Sequence, residues 1–363
     1  MLNKKGARGI LKKRQGVVVL KKYLLTPDVK SYKANLHCHS NISDGKRSPE
    51  ELKKMYKAEG YSVLAITDHE ILIDHSDLND DDFLCLTSYE MAIDDHNVGI
   101  RNYNFVKTCH LNFYSEDPHK TEIVCANPDY FAPNMNWCKT PELKEKRKFT
   151  GEPMYKPQYT PDCINEIIKT AKENGFIVTL NHPHWSKERF EQLIAYDGMF
   201  AMEVFNTSSY TLGFEEHTSA IYDMMLEHNK RIFCVATDDN HNVHPDGSVY
   251  SDSFGGYTVL RAESLTYDNI YKALVNGDFY ASTGAEIKEL YIEDGMVTVK
   301  TSPAKRIAVT GGNRYTQCKM AEKGEVVTEC TFSLDNVCGY FRIEVTDENG
   351  KKAFTNAYFK DQI

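Results

Sequence analysis

Ser48-Pro49-Glu50-Glu51-Leu52-Lys53-Lys54-Met55-Tyr56-Lys57-Ala58-Glu59-Gly60-Tyr61-Ser62-Val63-Leu64-Ala65-Ile66-Thr67-Asp68-His69 contains one complete unit of helix, stop and strand. Ser48 is an N-cap, Pro49 suits the first helical position, and Glu51 stands three residues after the cap, so a helix is predicted over 49–59 with Gly60 as its stop. Ser62–Ile66 is a short apolar run of the kind buried on both faces of a sheet, and it delivers Thr67, Asp68 and His69 at its carboxyl end.

The same order recurs further along the chain. A helix over 161–174 stops at Gly175, and a strand over 176–180 leads into Asn181-His182-Pro183-His184. A helix near 214–229 precedes a strand over 231–236 and then Thr237-Asp238-Asp239-Asn240-His241. Strands at 83–87 and 199–204 run into segments bearing Glu90 and Glu203. Repeated βα units with polar groups at the strand ends predict an α/β fold, a TIM-like barrel with its chemistry on the carboxyl-end face.

From about Ile287 the texture changes to short alternating strands near 296–300, 306–309, 325–332 and 340–345, separated by Gly-Gly, Asn and Asp-Glu-Asn-Gly turns, which predicts a small C-terminal antiparallel β domain over 287–363. Gly311-Gly312 has no helix after it and reads as a hairpin turn, not a phosphate loop. Residues 1–32 read as a basic leader strand and 33–286 as the catalytic domain. Within that domain, 117–160 form a proline-punctuated, aromatic insertion of lid type.

Composition narrows the class. With 41% apolar and 26% charged residues and a mean hydropathy of −0.51, the chain is an ordinary globular one. No apolar run approaches the length of a membrane span and the N-terminus lacks a signal-peptide core, so a cytoplasmic protein without membrane contact is expected. The ten cysteines form no CxxC pair, which points to free buried thiols. Residues 1–30 carry a local charge of +8, leaving −17 for the remainder of a chain whose net charge is −9. So acidic a body disfavours duplex nucleic acid as a partner. The oligomeric state is not legible.

The chemistry starts at His37-Cys38-His39. A two-residue period on a strand projects both imidazoles from one face, where they can grip one ion. Asp44, Asp68-His69, Glu90, His110, His182 and Asp239-x-His241 follow, each at or just past a predicted strand end. Imidazoles and carboxylates without thiolate suit Zn, Mn or Fe(II), and more than four such ligands imply a cluster. Two or three close divalent ions stabilise both oxygens of a phosphoryl displacement and lower the pKa of bound water, so hydrolysis of a phosphate ester by a metal-bound hydroxide is the reaction expected.

Asn35-Leu36-His37-Cys38-His39-Ser40 with Ser43-Asp44-Gly45, then Ile66-Thr67-Asp68-His69, Asn181-His182-Pro183 and Asp239-Asn240-His241, stand in the order seen in the PHP (polymerase and histidinol phosphatase) superfamily. The chain resembles that family over about 33–285. The resemblance implies a distorted (β/α)7 barrel and a trinuclear site of two to three divalent metal ions (Zn, Mn or Fe). It places His37, His39, Glu90 and Asp239 on one ion and Asp44, His69 and His241 on a second. His110 and His182 complete a third with the bridging Glu90. Asp238 is then a supporting residue beside the ligand Asp239. Leu274–Ile287 and the tail 342–359 resemble a subgroup with a C-terminal β domain, whose default substrates are small phosphomonoesters.

His184, two after His182, is a candidate proton donor to the leaving alcohol, a role worth about 10²–10⁴ in rate, or else a supporting histidine. The family's nucleotide-hydrolysing members have an arginine shortly after the His-Pro pair, and here His184 and Trp185 stand there, with Arg189 further along. Asp74 and His75 adjoin the acidic run 77–82 and read as loop surface, whereas His96, His119, His217, His228 and His244 match no motif. Glu203 and Asn206 line the predicted mouth. Two alternatives stay open. One is a phosphodiesterase or exonuclease holding single-stranded ends with the basic stretch 139–148 and Trp137, Phe149 and Tyr155. The other is a metal-stabilised binding protein without turnover.

Overall fold

The capping signals at Ser48 produce the helix they predict. In α1 (Pro49–Ala58) the Ser48 hydroxyl accepts from Glu51 N at 3.3 Å and the Glu51 carboxylate accepts from Ser48 N at 2.8 Å, while Leu52 and Tyr56 face inward. The computed structural model describes residues 9–14, 17–95, 106–126, 135–150, 156–214 and 217–363, without the side chains of the residues before 21. His96, Tyr155 and parts of the leader and of the 117–160 insertion lie outside the described residues.

One sheet organises the molecule. Its strands are β1 (Lys30–Asn35), β2 (Val63–Ile66), β3 (Leu84–Asp94), β4 (Thr108–Ser115), β5 (Phe176–Leu180), β6 (Ala201–Asn206), β7 (Phe233–Thr237), β8 (Tyr257–Ala262) and β9 (Phe279–Ser282), hydrogen-bonded in the order β7-β6-β5-β4-β3-β2-β1-β8-β9. β1, β2 and β3 are mutually parallel, as are β5, β6 and β7, but β4 runs antiparallel to both β3 and β5. Several of the other helices lie against this sheet. α2 (Pro161–Glu173) buries Ile164, Ile167, Ile168 and Ala171 at helical spacing, each fully buried isoleucine contributing about 1.5–3 kcal/mol. α3 (Tyr267–Asn276) is capped by the Thr266 side chain and closed by Gly277 in the left-handed conformation.

Of the expected TIM-like barrel, the α/β class is seen and a closed ladder is not, among the described residues; the fold is mixed α/β with a large mixed sheet. β8 occupies the free edge of β1, antiparallel to it, where β7 would have to pair. β7 nevertheless lies alongside β8, Ala236 N donating to the Thr258 hydroxyl (3.3 Å) and the Ala236 carbonyl accepting from it (3.1 Å), and beyond the strand ends Asp239 N bonds to His37 O (2.8 Å) and His39 N to Asn240 O (3.0 Å).

The strands after 287 divide between two sheets. Ile287–Glu293, Met296–Ala304 and Val327–Ser333 join Gly9–Arg14 and Val17–Tyr23 in a five-stranded antiparallel sheet. Lys352–Thr355 pairs with β9 and carries Tyr340–Thr346, Arg306–Gly311 and Gln317–Met320 onto the large sheet. Arg306–Gly311 and Gln317–Met320 form the hairpin expected around Gly311-Gly312. Among the described residues no helix is long and apolar enough to cross a membrane.

Candidate metal centre

His37 and His39 continue β1 past its last ladder pair, and their alternation turns both rings the same way, with Nε2 atoms 3.2 Å apart. Asp239, just past β7, places Oδ1 3.1 Å from each of those nitrogens. Glu90, inside the long strand β3, places Oε1 3.3 Å from His37 Nε2 and Oε2 3.2 Å from His39 Nε2. All four residues are buried. Donors held at about 2.0–2.2 Å from one ion stand about 2.8–3.6 Å from each other in tetrahedral or octahedral geometry, and the separations among His37, His39 and Asp239, and from each histidine to Glu90, fall within that window.

A second set opens toward solvent. Asp44 lies 3.6 Å from His241 Nε2, 3.7 Å from His39 Nδ1 and 3.9 Å from His69 Nε2, and the His39 ring stacks between His69 (4.6 Å) and His241 (4.3 Å). Asp44 and His241 keep 20% and 24% of their side-chain surface exposed, in contrast to the inner donors. Gly45 is obligatory here, because a Cβ would sit 2.2 Å from the His39 carbonyl oxygen. His39 thus belongs to both sets, Nε2 facing the first and Nδ1 the second.

A third grouping joins His37 and Glu90 to His182, whose Nε2 is 3.6 Å from Glu90 Oε1 and 3.7 Å from Asp239 Oδ2. His110 approaches the same Glu90 oxygen at 3.0 Å through Nδ1 but joins no three-donor set among the described residues. His39 Nδ1, His69 Nδ1 and His110 Nε2 are buried without a hydrogen-bond partner; His69 Nδ1 lies 3.2 Å from Glu90 Oε2 in a direction unsuited to one. Buried imidazole nitrogens aimed at carboxylates and at each other fit divalent ions better than they fit an internal hydrogen-bond network. His182 (φ 24°) and Asp239 (φ 54°) both hold a left-handed backbone that costs energy outside glycine, as donors at functional sites often do.

Supporting groups fix these donors. Glu203 Oε1 accepts from His37 Nδ1 (2.8 Å) and Thr237 Oγ1 (2.7 Å), and its Oε2 accepts from His182 N (2.8 Å) and Asn206 Nδ2 (2.9 Å). The bond to Nδ1 selects the tautomer that leaves His37 Nε2 to bind. Asn181 Nδ2 donates to Glu90 Oε1 at 2.8 Å, and Ser186 Oγ lies 3.1 Å from His182 Nδ1. Asp68 accepts from the backbone and hydroxyls of Ser40 and Ser43, fixing the loop that carries Asp44. Asp238 points away from the donors, accepting from Tyr56, Thr207 and the backbone of 254–256.

Charge within the centre is unevenly held. Burial opposes a proton on His37 and His39, but Asp239, Glu90 and their neighbours outweigh it, lifting His37 well above the usual histidine range and His39 to about 10. Burial dominates at His69 and lowers it to about 4. The surrounding imidazoles overcome burial to pull Asp44 down to about 2 and Glu90 well below the carboxylate range.

Of the nine expected ligands, eight thus fall into sets of three or four donors and His110 lies beside them. His184 is not among them; its ring packs edge-on against Phe214 at 5.7 Å, while Trp185 packs against His182 and His110. Asp74 pairs with His119 at 2.9 Å, away from the centre, and Trp137 is buried, offering no face for a stacked base. Asn181 stands in the Asn181-His182-Pro183 block, but the positioning contacts of Ser186, Trp137 and Arg147 have no motif in the sequence; a tryptophan among charged residues is the one signal that could have marked the insertion.

No protein-family model matches the sequence and no curated protein matches it. The chain is similar to solved structures of PHP-like metal-dependent phosphoesterases. One is a two-domain protein containing a predicted PHP-like metal-dependent phosphoesterase from Bacteroides vulgatus, at 14% identity and TM-score 0.43, covering 92% of this chain and 98% of that one. Another, from Bifidobacterium adolescentis, is assigned as a metal-dependent phosphoesterase, at 16% identity and TM-score 0.38, covering 68% and 97%. A third is an amidohydrolase from Chromobacterium violaceum with bound sulfate and no metal, at 16% identity and TM-score 0.33, covering 57% and 87%. Likeness this distant does not extend to activity, which has to be read from the donors themselves.

Proposed function

We propose that this protein is a metal-dependent phosphoesterase that hydrolyses small phosphomonoesters, with two to three divalent ions (Zn, Mn or Fe) held by His37, His39, Asp44, His69, Glu90, His110, His182, Asp239 and His241. The observation that carries this reading is the inner set, in which two imidazole nitrogens and two carboxylates converge at 3.1–3.3 Å inside a buried site. Bound there, divalent ions would lower the pKa of water toward neutrality and offset charge on phosphoryl oxygens.

The chain's own groups divide the remaining work. Glu203 holds the His37 ring in its binding orientation and Asn181 holds Glu90. The buried inner face excludes bulk water, and the exposed edge formed by Asp44 and His241 is where a substrate's phosphoryl group enters. His184, on the loop that carries His182, is the proposed proton donor to the leaving alcohol. With its free thiols the protein is read as cytoplasmic.

The test is metal content by elemental mass spectrometry together with p-nitrophenyl phosphate turnover, for wild type and His39→Ala. Two or three ions per chain and turnover lost in the variant are expected. Less than one ion after reconstitution with Mn or Zn, or equal turnover in both proteins, overturns the reading.

A further inference from the structure

The described part of the 117–160 insertion touches the loops of the candidate metal centre. Asn136–Lys139 forms a short helix whose start is hydrogen-bonded to the loop before Asp44: Asn136 N to Ser43 O (2.7 Å), Trp137 N to Ile42 O (2.9 Å) and Asn136 Nδ2 to Asn41 O (2.8 Å). The Trp137 indole Nε1 then donates to the carbonyl of His69 itself at 2.9 Å. Arg147 donates from Nε to the next carbonyl, that of Glu70, at 2.8 Å, and its guanidinium lies 4.8 Å from the centre of the Trp137 ring. Both side chains are buried, and Met135 and Trp137 share a small apolar cluster with Ile42 and Ile71.

Each of these hydrogen bonds ends on one of the two loops that carry Asp44 and His69. Glu90 is bonded to the 68–70 segment through its backbone (Glu70 N to Glu90 O, 2.8 Å) but is also fixed within β3 by pairing with β4, whereas His37 and Asp239 are joined to each other through Asp239 N to His37 O (2.8 Å), and His37 is oriented by Glu203. We infer that Trp137 and Arg147 are positioning residues that tie the Asp44 and His69 loops together, and that they thereby set the affinity of the outer donor set for its ion. The inference rests on the metal reading above.

The test uses the full chain with Mn²⁺ or Zn²⁺ as the probe. Trp137→Phe keeps the aromatic body and removes only the indole N–H; Arg147→Lys keeps the charge and removes the Nε donor. Bound ions are counted by elemental mass spectrometry across a metal titration, beside Asp44→Asn as the marker of outer-site loss. Trp137→Phe is expected to weaken the same equivalent that Asp44→Asn loses, by roughly 10–100-fold, with the inner equivalent unchanged, and Arg147→Lys to do so less. Melting curves accompany the titration, because a purely structural role would lower the melting temperature while leaving the outer affinity alone. Wild-type affinity for every equivalent in both variants overturns the inference, as does equal weakening of all equivalents. Wild-type protein that binds less than one ion overturns the metal reading, and the inference with it.

Discussion

The inner and outer donor sets share His39 yet are built differently. Inner donors stand 3.1–3.3 Å from the two imidazole nitrogens, Glu90 inside β3 and His37 joined to Asp239 through the backbone, whereas outer donors stand 3.6–3.9 Å from Asp44, which with His241 lies on a loop at the solvent edge. A set preorganised by paired strands has its ordering entropy settled by the fold; a loop-borne set is completed only when its ion arrives. The inner set is accordingly expected to bind first and more tightly.

The most damaging way to break this comparison is Glu90→Gln, since Glu90 faces His37, His39, His69, His110 and His182 at once. Turnover should fall by about 10³-fold or more and at least two ions should be lost, as read by activity assay and metal analysis. His241→Ala should remove one ion and leave the inner one at wild-type affinity; loss of both would mean that the sets are not separable. Glu203→Gln should sharpen the contrast from the other side, weakening the inner ion about 10–100-fold while sparing the outer.

The gentlest probe is pH. Near neutrality His37 and His39 hold protons in the metal-free protein and His69 does not, so filling the inner set must release protons. Calorimetry in buffers of different ionisation enthalpy should report that release, and inner affinity should drop as pH falls. The stability sign is the opposite. A histidine raised from 6.5 to about 10 stabilises the fold fully below 6.5 and loses that contribution as pH rises toward 10. The metal-free melting temperature should therefore fall over that range in wild type and fall less in His39→Ala.

How legible the molecule was depended on how local the cause was. The capping box at Ser48, the apolar run 62–66 and the period-two imidazoles are written within a few residues each. Strand direction is not. Leu84–Asp94 is buried at nearly every position and shows no strict two-residue alternation, so nothing in it says that Thr108–Ser115 will return antiparallel beside it, and that return is what keeps the sheet from being all parallel. The same strand carries Glu90 in its interior and not at its end, because its burial on both faces continues past Thr87. Glu203 and Trp137 were obscure for a related reason. Their roles depend on partners more than sixty residues away, and no spacing rule encodes such a contact.

The join between the two limbs of the sheet also bears on folding. Asn35 accepts a hydrogen bond from Asp238 N across 203 residues, and the inner donors His37 and Asp239 lie immediately beyond that bond. An ion held between them acts as a reversible cross-link closing a very long loop, the sort of contact whose chain entropy is costly to bring about. With free metal at about a thousand times its dissociation constant, such a ligand adds about 4 kcal/mol to the native state. A chelator would then loosen the clasp of the whole sheet as well as stop turnover.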